Sequence, residues 1–162
     1  MASYFSFEWG GFLMKTLIIY YSWSGNTKRV AENIHHEVKN SDLVEIKVPA
    51  GTFSADMYKT NDIFKEQIET NHLPKIDLSE LNYQSYDFIL IGSPVWSGMP
   101  ASLIKNFLNE LQRVNYSGKV ASFFTDIGQD GNYDTIFKTW GKNLNIIGTG
   151  RDSSKINEWI DA

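Results

Sequence analysis

Apolar residues fall in short blocks along this chain, and the blocks alternate between two periods. Thr16–Tyr21 (TLIIYY) is a nearly continuous apolar run, as expected for a strand buried on both faces. A Ser/Gly/Asn stretch follows, and from Thr27 the apolar residues Val30, Ile34 and Val38 share one helical stripe that ends at Asn40-Ser41. In Leu43–Val48 the period drops to two, with Val44, Ile46 and Val48 alternating with Glu45 and Lys47, which predicts a half-exposed edge strand. Residues 49–85 form a long connection, within which Met57–Glu69 is a helix candidate carrying Ile63, Phe64 and Ile68.

Phe88–Ile91 (FILI) is a second buried strand, closed by Gly92-Ser93-Pro94. Pro100 is placed in the first turn of a helix whose apolar face is Leu103, Ile104, Phe107, Leu108 and Leu111. Val120–Phe124 is the fourth strand. Tyr133, Ile136, Phe137 and Trp140 mark a helix, Ile146-Ile147 a short fifth strand, and Ile156, Trp159 and Ile160 a closing helix. Strands alternating with helices predict an α/β, doubly wound, five-stranded parallel sheet with helices on both faces. Right-handed crossovers and an edge position for the second strand favour the order 2-1-3-4-5. In that order ligands bind beyond the carboxyl ends of strands one and three, so the loops after Tyr21, Ile91 and Phe124 carry the function. Residues 14–162 read as one domain, and residues 1–13 (MASYFSFEWGGFL) as a peripheral extension without the basic start of a signal peptide.

Composition narrows the chemistry. The 162 residues include no cysteine and only His35, His36 and His72, which excludes disulfides, thiolate metal sites and iron–sulfur clusters and makes a histidine metal site improbable. All three histidines read as solvent-facing or loop residues. A formal net charge of -4 argues against a nucleic-acid binder. No stretch reaches the roughly eighteen apolar residues of a membrane span, and a cytoplasmic location is expected. Any redox chemistry has to come from a bound cofactor.

The loop after strand one is Ser22-Trp23-Ser24-Gly25-Asn26-Thr27, rich in hydroxyl and amide groups and leading into a helix N-terminus. Unpaired N–H groups and the positive end of the helix dipole make such a turn a ready phosphate site, and Gly25 allows close approach. The competing reading is a plain capped loop. Neither the dinucleotide nor the nucleoside-triphosphate glycine motif is present.

The segment LIIYYSWSGNTKRVAE resembles the phosphate-binding signature of flavodoxins, a [ST]-x-[ST]-G-x-T loop between the first strand and first helix. The resemblance implies that Ser22, Ser24, Asn26 and Thr27 bind the phosphate of flavin mononucleotide (FMN), with Trp23 and Gly25 adding mainly backbone contacts. The run Gly92-Ser93-Pro94-Val95-Trp96-Ser97-Gly98-Met99-Pro100 is similar to the isoalloxazine loop of the short flavodoxin-like families. By that likeness Trp96 flanks the flavin ring and the backbone of Pro94, Val95, Trp96, Ser97 and Gly98 lines its edge. Gly98 is then the candidate for the flexible peptide that bonds the ring nitrogen N5 in one redox state.

The loop after strand four keeps Thr125, Gly128 and Gly131 of the related pattern but inserts Asp126, Ile127 and Asp130. Thr125, Asp126 and Gly128 are its candidate cofactor contacts. Asp126 and Asp130 beside the ring would disfavour an anionic reduced flavin and lower its potential; the alternative is that both are solvated caps, the reading favoured for Asp130. Tyr133 has the spacing of a core residue. No catalytic side chain and no metal ligand is expected. Three functions remain open: an FMN electron carrier working with a redox partner protein, an FMN-dependent NAD(P)H oxidoreductase acting on quinones or other small-molecule acceptors, and a binding module without flavin. The open ring edge and the single small domain favour the carrier, which is the leading expectation. The modest net charge and the long insert near residues 50–75 favour the enzyme, because an insert can shape a substrate pocket. Asp126 and Asp130 are the best support for the third.

Overall fold

A computed structural model describes residues 14–78 and 80–160. The expected extension at residues 1–13 lies outside the described residues. The chain alternates β1 (Thr16–Tyr20), α1 (Asn26–Glu37), β2 (Ser41–Glu45), α2 (Met57–Thr70), β3 (Phe88–Trp96), β4 (Met99–Pro100), α3 (Ser102–Arg113), β5 (Lys119–Thr125), α4 (Tyr133–Trp140), β6 (Asn145–Arg151) and α5 (Ile156–Ile160).

The sheet order is β2-β1-β3-β5-β6, all parallel, with the two-residue β4 folded back antiparallel on β3. Leaving aside that stub, the five parallel strands stand in the expected order. Side chains alternate across them, as the pleat requires. Leu17, Ile19, Ile89, Ile91 and Val120 face α3 and α4, whose Leu103, Ile104, Phe107, Leu108, Leu111, Tyr133 and Phe137 complete that core. Ile18, Tyr20, Phe88, Leu90, Ala121 and Phe123 face Val30, Ala31, Ile34 and Val38, which lie on or just beyond α1, and Ile156 and Trp159 of α5. Burial on both faces explains why the central strands read as continuous apolar runs.

Several boundaries differ from the periodicity. β2 pairs two residues earlier than the alternation indicates, because Thr16 aligns with Ser41 and Tyr20 with Glu45. β3 does not stop at Gly92; it continues to Trp96, since Pro94 still pairs with Thr125 and Trp96 with Met99. Ser97 (φ 49°) and Gly98 (φ 75°) form the tight turn of this hairpin, and positive φ at both positions is what a type I′ turn demands. Pro100 therefore sits in β4 and not in a first helical turn; α3 opens only at Ser102. His35 is half-buried and its Nδ1 lies 2.9 Å from Ser41 Oγ, so it braces the α1–β2 turn instead of facing solvent.

Candidate functional site

Parallel registers bring the carboxyl ends of β1, β3 and β5 side by side: Tyr20 lies opposite Gly92, and Pro94 opposite Thr125. The three chemically promising segments thus meet at one edge of the sheet. A direct contact joins the first and third, because the Oγ1 atoms of Thr27 and Thr125 are 2.8 Å apart.

The turn after β1 is built by Gly25, whose φ of 98° few other residues adopt. Ser22 Oγ accepts a bond from the Gly25 N–H (3.1 Å) and holds the turn closed on itself. No side chain caps the first turn of α1, so its N–H groups are left for an external acceptor. Ser24, Gly25 and Asn26 are exposed, while Thr27 is buried. A Cβ placed on Gly25 would meet nothing within 4 Å, so the space above the turn is open. Four neutral donors and a bare helix N-terminus around open space fit a phosphate.

Beside this turn lies a cleft of about 210 Å³ lined by Trp23, Met57, Tyr58, Thr60, Asn61, Val95, Trp96 and Ser97. Its walls are mostly apolar or aromatic, which fits a flat heterocycle. Trp23 belongs to both features. Its backbone is part of the α1 turn, and its side chain lines the cleft while the indole N–H donates to the Ser54 carbonyl (2.9 Å). Its side chain, expected to matter less than its backbone, thus also borders the cleft. Trp96 stands at the end of β3 and not on a loop. Its indole meets the edges of Phe53 (4.9 Å), Phe64 (5.6 Å) and Tyr21 (5.8 Å) in T-shaped contacts, and one side remains toward the cleft.

The other wall comes from the first turn of α2, and sequence reasoning missed it. Met57, Tyr58, Thr60 and Asn61 line the cleft, with Met57 and Tyr58 largely exposed. Asp56 caps that helix, its Oδ1 accepting from Tyr58 N–H (2.8 Å) and Lys59 N–H (3.3 Å). Thr60 donates to the Ser54 carbonyl (2.7 Å), the same oxygen that Trp23 reaches. Ser97 Oγ donates to Asn61 Oδ1 (2.7 Å), which ties α2 to the β3–β4 hairpin. The signal available in the sequence was an aspartate cap followed by Met-Tyr, two apolar residues where a first helical turn usually faces water.

The remaining candidates lie outside the cleft lining. Pro94 is held in the sheet opposite Thr125. The Gly98 carbonyl accepts from the Asn132 N–H (3.0 Å), and its Cα abuts Gly131 so closely that a Cβ on Gly131 would come within 2.6 Å of it. Gly128 is exposed, with φ of 102°, and donates its N–H to Asp126 Oδ1 (3.1 Å). Asp126 itself is not a free charge near the site. Its side chain is 2% exposed and is gripped by Arg151, Nε to Oδ1 at 2.9 Å and a terminal nitrogen to Oδ2 at 3.0 Å. The guanidinium, helped by the Gly128 N–H, holds the Asp126 carboxyl below its ordinary value. The Asp126 charge is therefore balanced by a partner from β6. Tyr133 is fully buried, as its spacing indicates, with its hydroxyl 2.8 Å from Ser122 Oγ.

None of the eight cleft-lining side chains is a carboxylate, imidazole, ammonium or guanidinium. Tyr21 nearby is pushed up to about 12 by burial and stays neutral. No group of His, Cys, Asp and Glu that could hold a metal occurs among the described residues. Such a lining can stack and hydrogen-bond.

The sequence profile described as Flavodoxin matches residues 15–147. The crystal structure of a flavoprotein from Lactobacillus acidophilus in complex with FMN is similar, with a TM-score of 0.86 and 52% identity over 90% of this chain and 98% of that one. Among curated proteins, the NAD(P)H dehydrogenase (quinone) of Syntrophobacter fumaroxidans is 30% identical over 81% of this chain and 67% of its own length. That of Syntrophus aciditrophicus is 30% identical over 71% of this chain and 59% of its own. The chain thus spans about three fifths to two thirds of the length of these relatives.

Proposed function

This chain belongs to the flavodoxin family, and we propose that it binds one FMN non-covalently and transfers electrons through it. The carrying observation is the continuity of two surfaces through Trp23: the uncapped first turn of α1 and the aromatic cleft. In this reading Ser22, Ser24, Asn26 and Thr27, with the first-turn N–H groups, hold the phosphate. Trp23, Val95, Trp96 and the first turn of α2 enclose the ring. The flavin, when bound, supplies the one- and two-electron chemistry.

The protein's own part is binding and orientation. Trp96, wedged by three rings, offers a fixed flat surface instead of a mobile one. The apolar lining excludes water from the ring, and Ser97 and Asn61 place polar atoms at its rim. Thr125 steadies Thr27 from the third loop. The resemblance of the L. acidophilus flavoprotein, whose structure contains FMN, supports the cofactor. Adding FMN to the apoprotein and following its fluorescence tests the proposal. Quenching with one equivalent bound, and a matching yellow spectrum, is expected. No uptake leaves only a binding module without flavin.

A second reading has its own support. Met57 and Tyr58 leave an exposed apolar lip on the cleft, and the two curated relatives are named NAD(P)H dehydrogenase (quinone). Consumption of NAD(P)H with a quinone acceptor would favour a cytoplasmic oxidoreductase; its absence in the FMN-loaded protein would favour a carrier serving a partner protein. No helix among the described residues is long and apolar enough to cross a membrane.

A further inference from the structure

Arg151 ends β6 and is not among the residues lining the cleft, yet it is locked to the loop that touches the proposed phosphate turn. Asp126 directly follows Thr125, whose hydroxyl is 2.8 Å from that of Thr27. The Asp126 carboxylate is almost fully shielded, 2% exposed, and both of its oxygens are taken by Arg151 at 2.9 and 3.0 Å. Arg151 also stands in the field of Asp130 and Asp152, and the Asp152 N–H is bonded to the Phe124 carbonyl (2.8 Å) at the same strand end. Arg151 thus faces three carboxylates, of which Asp126 adjoins the residue that touches the α1 turn; Ser22 to Thr27 themselves carry no cation, and Lys28 and Arg29 follow within α1.

We infer that Arg151 is a positioning residue for anion binding: it cancels the Asp126 charge beside the α1 turn and so allows a phosphate dianion to sit there. This rests on the FMN reading above. A bare carboxylate about 10 Å from a dianion, at an effective dielectric of about 40–80, lowers affinity roughly five- to fifteenfold. The bidentate fork also fixes the backbone of the third loop, which a lysine does only in part.

The experiment compares FMN with riboflavin, which has the same ring and no phosphate, by fluorescence titration at low salt. Arg151→Gln should weaken FMN roughly five- to fifteenfold while changing riboflavin less than about twofold, and the FMN penalty should shrink near 1 M salt. Arg151→Lys, which keeps the charge, should retain most of the preference for FMN. The double variant Arg151→Gln/Asp126→Asn should recover it, because no uncancelled charge remains at position 126. Asp126→Asn alone, the fallback if Arg151→Gln does not fold, should bind FMN at least as tightly as the parent. An FMN-to-riboflavin ratio unchanged in Arg151→Gln, no recovery in the double variant, or weaker FMN binding in Asp126→Asn overturns the inference. A parent protein that binds FMN no better than riboflavin instead overturns the phosphate assignment itself.

Discussion

Replacing Gly131 by alanine tests whether the β3–β4 hairpin is clamped by the third loop. Gly131 has φ of 54°, inside the left-handed well that alanine enters at a cost of about 1–2 kcal/mol. A Cβ there would lie 2.6 Å from Gly98 Cα, short of the 3.4 Å at which ordinary contact begins, and the obstacle is backbone that cannot rotate away. Either the hairpin or the loop has to move by several tenths of an ångström. Such overpacking costs about 1–3 kcal/mol, and the movement also strains the 3.0 Å bond from the Asn132 N–H to the Gly98 carbonyl. Gly131→Ala should therefore lose about 2–5 kcal/mol in urea unfolding of the apoprotein. Gly128→Ala is the control, since its φ of 102° is less favourable but nothing lies within 4 Å of its Cβ. It should lose about 1–3 kcal/mol, a purely conformational penalty. A Gly131→Ala loss no larger than about 1–2 kcal/mol, the cost of the left-handed well alone, would show that the close approach of Gly98 and Gly131 has no energetic content.

Four further outcomes follow from the same geometry. Ser24→Ala and Thr27→Ala should each weaken FMN by about 1–3 kcal/mol in fluorescence titration, the range for a bond to a charged group; unchanged affinity in both removes the phosphate site from the α1 turn. Trp96→Ala should cost about 2–4 kcal/mol of apoprotein stability, because three ring contacts vanish at a half-buried position; a loss below about 1 kcal/mol would mean those contacts do not form. Tyr58→Ala, at a residue 83% exposed, should leave stability within about 0.5 kcal/mol yet weaken FMN by about 0.5–1.5 kcal/mol, and a variant with unchanged affinity would remove α2 from the ring site. Asp126 has a lowered folded-state value, so the stability it adds is complete above its unfolded value of about 3.9 and is lost as pH falls through the lower folded value; Asp126→Asn should flatten that part of the acid unfolding curve.

The sheet was readable because its strands and helices are buried in patterns that sequence displays directly. TLIIYY and FILI are apolar without interruption since both faces are covered, and the α3 stripe from Leu103 to Leu111 is buried throughout. The turn proposed to hold the phosphate was readable for a different reason: its candidate donors are consecutive residues, Ser22 to Thr27, so their spacing in sequence is their spacing in space. The hairpin was harder. Gly92-Ser93-Pro94 looks like a strand end, yet Pro94 continues the parallel ladder with Thr125, because a proline costs nothing where its missing N–H would have had no ladder partner. The cleft wall on α2 was hidden because helical periodicity selects Phe64, the buried residue, and gives no weight to Met57 and Tyr58, which stay exposed.

Asp126 shows what pattern reading cannot reach at all. Seen in the run Thr125-Asp126-Ile127-Gly128, it is an acidic residue beside a cofactor loop, with an unbalanced charge. Its partner lies 25 residues later on the neighbouring strand, and only the pairing of Phe124 with Arg151 brings them together. Sheet topology, not local composition, therefore decides whether the Asp126 charge is balanced at this edge. The same logic separates the two halves of the proposed FMN site. The phosphate end is made of backbone donors on a helix packed by Val30, Ala31 and Ile34, and is rigid. The ring end depends on α2, whose buried residues are only Thr60 and Phe64. Affinity should then be dominated by the phosphate, and differences among ring-modified flavins should trace to α2, the one wall with little core beneath it.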